Sequence, residues 1–193
     1  MDIQEFKEGI FSLRTRRFGT VAEYMIKALI SVEMSGNLAY DLTDSEMNRI
    51  EVKFSTVMKK SKSTITEQNV IQQILASTVE HRMMDSHEIF DSKFDCNIQQ
   101  VKTSEFDILY YGLFFQDRIA IFKVNSHDVF SLPNYSNKQH RGNEGEGQFH
   151  LNEKTIQFHL DNLLYRWVSY EELYELFLAL GNNYINVRLP INW

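Results

Sequence analysis

Apolar residues recur with helical spacing over 21–30, where Val21, Met25, Ile26, Leu29 and Ile30 fall on one face, and an amphipathic stretch over 3–13 precedes them. Ser35, Gly36 and Asn37 mark the end of that helix. Residues 38–42 then read as extended, and Thr43, Asp44, Ser45, Glu46 and Asn48 form a polar connection. Beyond it the period changes to two: Ile50, Val52 and Phe54 point one way, and Glu51, Lys53 and Ser55 the other. The pattern predicts a helix followed by a β-hairpin whose second strand carries charges on one face.

Thr64 with Glu67 three residues later predicts a capping-box start. The helix it opens runs through Val70, Ile71, Ile74, Leu75 and Val79, with its apolar stripe turned to the sheet. Residues 85–105 have no clear period. The segments 106–111 and 118–124 are rich in aromatic and β-branched residues and read as two core strands. From 133 to 147 the chain is polar and glycine-containing, the signature of a loop or an irregular exposed hairpin. Residues 148–160 alternate again, with a turn near Asn152 and Glu153. Ser169 and Glu172 make another capping box, opening a helix over 170–180 that Gly181 would close in a left-handed cap.

These elements predict an α/β fold in a single domain spanning 1–193, long enough to bury one sizeable core. Hydrophobic residues make up 43% and charged residues 24%, so neither disorder nor a fibrous repeat is indicated. The longest apolar runs fall well short of the ~18 residues that cross a bilayer. Cys96 is the single cysteine and cannot form an internal disulfide, which fits a reducing cytoplasm. A formal charge of -6 gives no general attraction to phosphate, so a nucleic-acid-binding chain of this kind must gather its cations locally. Three such gatherings occur: Arg14, Arg16 and Arg17; Lys59, Lys60 and Lys62; and Lys138, His140 and Arg141. No phosphate-binding glycine loop is present, and His140, His150 and His159 lack the spacing of a zinc site.

The chemistry concentrates on the hairpin. Magnesium takes one or two carboxylates, and same-face residues on adjacent antiparallel strands sit ~5 Å apart. Asp41 on one strand and Glu51 on the next can therefore share a metal if the register agrees. Lys53 lies on the same face as Glu51, ~6.6 Å along the strand, where an ammonium can orient a water or neutralise a phosphate. An acid followed two residues later by lysine also occurs at Glu5 with Lys7 and Asp91 with Lys93, so the weight comes from context. Only Glu51 and Lys53 lie in a strand that follows another acid-bearing strand. An exposed hairpin edge with Glu51 and Lys53 as ordinary cross-strand partners is the alternative.

Asp41, the hairpin and Glu51-Val52-Lys53, with a helix before them and a helix and two hydrophobic strands after, resemble the PD-(D/E)XK nuclease superfamily, most closely its type II restriction endonucleases. Tyr40 occupies the motif's proline position. The resemblance implies a restriction-endonuclease-like core, a mixed central sheet flanked by helices, and magnesium-dependent cleavage of duplex DNA. It assigns Asp41 and Glu51 to the metal and Lys53 to the water, with Glu23 of the preceding helix as an additional acid. It also implies a homodimer and recognition elements added to the core. The best match to those is 133–160, with Lys138, Gln139, His140, Arg141, Asn143 and Gln148 able to read base edges, while Arg14, Arg16 and Arg17 would hold phosphates. A repair, recombination or structure-selective nuclease with the same core, or a noncatalytic DNA-binding module, remains open at this stage.

Overall fold

The computed structural model describes residues 2–60, 64–138 and 144–187. Its centre is a mixed six-stranded sheet in the order β1 (Glu33–Met34), β2 (Leu42–Thr43), β3 (Arg49–Thr56), β5 (Ile108–Phe114), β6 (Arg118–Asn125) and β9 (Leu164–Ser169). The β3–β5 pair is parallel and every other pair in this sheet is antiparallel. A smaller sheet, in the order β4 (Asp95–Val101), β8 (Glu144–Asn152), β7 (Ser136–Lys138), covers part of it.

Each face of the large sheet has its own core, because neighbouring residues along a strand point to opposite sides. On one face Ile50 and Val52 of β3 and Tyr110 and Phe114 of β5 meet α1 (Ile3–Phe11), α2 (Thr15–Ile30) and α6 (Tyr170–Val187). On the other, Leu109, Tyr111 and Phe122 meet Phe149 and Leu151 of β8, Ile98 of β4 and Ile156 of α5 (Ile156–Asn162). The apolar run at 108–115 serves both cores, as expected of a strand buried on both sides. Gly112 sits where β5 passes Phe54 of β3 and the Ala120 carbonyl of β6, and a Cβ there would overlap both.

The fold is α/β with a mixed sheet flanked by helices, and several elements depart from their sequence reading. The helix expected over 21–30 starts at Thr15 and ends as expected at Ile30, where Ser31 adopts a left-handed conformation with φ 55°. The helix expected from Thr64 is instead two short ones, α3 (Val70–Leu75) and α4 (Val79–Arg82). Ser77 Oγ donates to the Gln73 carbonyl at 2.8 Å and Thr78 caps α4, so local side-chain bonds end the first helix where periodicity alone continues it. The α3 apolar stripe faces solvent and not the sheet, since no residue of α3 is buried. Residues 156–160 are helical and not extended: Ile156, Phe158 and Leu160 alternate in the sequence, but Ile156, His159, Leu160 and Leu163 share a helical face and Phe158 is exposed. Gly181 lies inside α6, which continues to Val187. Residues 133–160 contribute β7, β8 and α5.

Candidate active site

The β2 strand is only two residues long, and its brevity shapes the site. Its register, Leu42↔Ile50 and Thr43↔Arg49, would set Asp41 opposite Glu51 one step further on. There the chain bends away. The Asp41 N–H donates to the Ile50 carbonyl at 3.0 Å, and the Asp41 carboxylate accepts the Val52 N–H at 2.8 Å in place of a ladder bond. β3 from Glu51 onward therefore has an open edge, and Asp41 lies against it. The approach to Asp41 is held by its own turn: Ser35 N–H donates to the Asp41 carbonyl at 2.9 Å, and Asn37 Oδ1 accepts the Ala39 N–H at 2.9 Å. At the hairpin tip Asp44 Oδ1 accepts the N–H groups of Glu46 and Asn48 at 3.0 and 2.9 Å, which fixes the connection.

Glu51 is 8% exposed and its carboxylate is paired with the Lys53 ammonium. Both side chains project from the same face of β3, as their spacing of two requires. Burial pushes Glu51 up to about 7; the Lys53 charge opposes that, and the Asp41 and Glu105 charges add to it. Burial also raises Asp41, against the Val52 hydrogen bond and the Lys53 charge. Glu23 on α2 is raised first by burial and then by Asp41, with Lys53 opposing. Asp41 and Lys53 thus act on both Glu51 of β3 and Glu23 of α2, three acids against one ammonium. Below them, Arg49 forks onto Asp107 at 2.8 and 3.0 Å and donates to the Ser104 carbonyl at 3.1 Å. This clip joins the starts of the two parallel strands. Nothing in the sequence pattern marked Arg49 or Asp107, because the pairing spans 58 positions.

Desolvated carboxylates whose charges raise one another's proton affinity form a place that favours a cation. Among the described residues no group of three or more His, Cys, Asp or Glu is arranged to hold a metal ion. The donors on hand are the Asp41 and Glu51 carboxylates, which fits magnesium because that ion keeps several waters and takes few protein ligands.

The other expected site residues lie apart from this edge. Arg14 stands at the N-cap of α2 and Arg16 and Arg17 in its first turn, all exposed and making no ion pair among the described residues. Lys138 is exposed on β7. Gln148 on β8 accepts from Asn97 Nδ2 at 3.0 Å and donates to the Lys138 carbonyl at 3.4 Å, so both ends of its amide tie the small sheet together. Gln139, His140, Arg141 and Asn143 lie outside the described residues. Lys59 pairs with Glu88 at 3.0 Å. His150 contacts Asp95 at 2.8 Å through Nδ1, and His159 is fully buried against Tyr111, 2.7 Å from its hydroxyl, so the two do not share a strand face. Cys96 is buried and its thiol is pushed up to about 12 by burial, an inert state. No helix among the described residues is long and apolar enough to cross a membrane. No protein-family model matches the chain, and no curated protein matches it.

Proposed function

We propose that the chain is a magnesium-dependent endonuclease of duplex DNA, a type II restriction enzyme of the PD-(D/E)XK kind acting as a homodimer. One observation carries this reading: Asp41, Glu51 and Lys53 meet at an open strand edge, through the β2–β3 register and the Asp41 to Val52 bond. The order of helix, hairpin, parallel crossover and two hydrophobic strands supports it.

Asp41 and Glu51 would hold the ion, and Glu23, whose proton affinity the Asp41 charge raises, would be the additional acid. The bound ion supplies charge neutralisation at the phosphate and acidifies a water. Lys53 neutralises Glu51 in the metal-free protein. When that carboxylate is otherwise engaged, the ammonium is available to orient the attacking water or to meet charge building on the phosphate. The Arg49–Asp107 clip ties the start of β3, which carries Glu51 and Lys53, to the start of β5. Arg14, Arg16 and Arg17 supply phosphate contacts that position the duplex, and the β7–β8 hairpin presents Lys138 to the bases.

Purified protein with magnesium should cut duplex DNA into discrete fragments. Asp41→Ala or Lys53→Ala should lower cleavage by roughly a thousandfold or more while leaving DNA retention in a gel-shift measurement intact. Smeared digestion, or a preference for branched DNA, moves the assignment to a repair or structure-selective nuclease. No cleavage of any substrate, with Asp41→Ala indistinguishable from the parent, sinks the nuclease reading.

A further inference from the structure

The exposed α3 helix is the feature least accounted for by a lone molecule. Ile65 is 62% exposed, Ile71 70%, Ile74 65% and Leu75 70%, with Val70 beside them at 37%. Val70 with Ile74 and Ile71 with Leu75 are four apart, so the four form one continuous face. Large aliphatic side chains gathered in this way on a surface mark a contact.

The composition of the segment decides what covers it. Between 64 and 78 the only charged residue is Glu67. Lys59, Lys60 and Lys62 precede the segment, but the α3 face itself carries no cation for a DNA backbone. A membrane surface calls for lysine or arginine on the polar side of the helix, and α3 places Gln72 and Gln73 there. A two-fold contact sets a patch against its own copy, so it needs a patch free of like charge. On a chain of net charge -6, this face meets that condition. Four of the five side chains each expose on the order of 100 Å² of apolar surface and Val70 about half that. Together they provide the greater part of the ~800 Å² per partner that a stable interface buries.

We propose that the face formed by Ile65, Val70, Ile71, Ile74 and Leu75 is the surface through which two copies of this chain pair about a two-fold axis. The pairing gives a location to the homodimer of the nuclease reading and rests on that reading only for its purpose; its evidence is the face itself.

Sedimentation equilibrium of the full chain tests it. The parent protein should be a dimer at micromolar concentration, and Ile74→Glu, at an exposed position, should weaken association by roughly a hundredfold or more because a carboxylate would be buried unpaired. Circular dichroism checks that the variant is folded. A parent that stays monomeric up to roughly 100 µM, or a folded Ile74→Glu that still dimerises as tightly, overturns the proposal. If Ile74→Glu does not fold, hydrogen exchange on the parent decides: amides of 70–75 slowed at high protein concentration support the pairing, and unchanged exchange overturns it. A dimer that Ile74→Glu dissociates but that cuts no DNA upholds the pairing and removes the nuclease reading. Cleavage by a stable monomer does the reverse.

Discussion

Glu51 and His159 titrate in opposite senses, and their pH dependences separate the candidate site from the core. Glu51 rises from an ordinary 4.5 to about 7, chiefly through burial. The folded state therefore holds a proton that the unfolded state gives up, and stability falls as pH climbs from about 4.5 towards 7. Burial depresses His159 from 6.5 to about 4, so stability falls as pH drops through that interval. Each contributes on the order of 3 kcal/mol, and the two trends offset each other where their windows overlap. In metal-free protein, Glu51→Gln should remove the Glu51 trend and leave that of His159 in place. Its melting temperature should exceed that of the parent at pH 8 and should drop steadily below pH 6.5, as followed by thermal denaturation in chelator. A Glu51→Gln profile parallel to the parent's would show that the carboxylate is not desolvated.

At the level of elements, the helix that bears Glu23 offers a prediction free of catalysis. Gly19 lies inside α2 and a Cβ there meets nothing within 4 Å. Gly19→Ala should raise stability by about 0.5–1 kcal/mol, a melting shift of roughly 1–4 °C, without altering cleavage. The same elements show what the sequence makes legible. The α2 helix is readable from its period, β3 from the alternation of apolar and charged residues, and the two central strands from aromatic and β-branched runs that are buried on both faces. The β4 strand is not: Cys96 and Ile98 are two apart but the next buried residue, Val101, is three further, across a bulge where Gln100 adopts φ 57°. That extra residue breaks the period a reader relies on. β9 is missed for a different reason, since only Val168 along it is buried. At the site, the spacing of Glu51 and Lys53 predicts their shared face, and the convergence of Asp41 follows from the register. The early end of β2 and the Arg49–Asp107 clip depend on contacts distant in sequence.

At the scale of the whole molecule, charge is distributed unevenly about a net of -6. The exposed arginines at the start of α2 make no ion pair among the described residues. Replacing Arg14, Arg16 and Arg17 by alanine should weaken DNA binding about equally across sequences and flatten its salt dependence by a log–log slope of roughly 2 to 3. Fluorescence anisotropy at several salt concentrations measures both, and an unchanged slope would exclude these residues from the contact. The backbone crossing at Gly112 bears on how such experiments are to be interpreted. No side chain fits between Phe54 and the Ala120 carbonyl, so any replacement must wedge β5 away from its neighbours and carry β3 with it. In a saturation library selected for activity, position 112 would be as intolerant as Asp41 or Lys53. A map of lost function would therefore outline a centre larger than the chemical one, and only a folding measurement on each variant would tell the two apart.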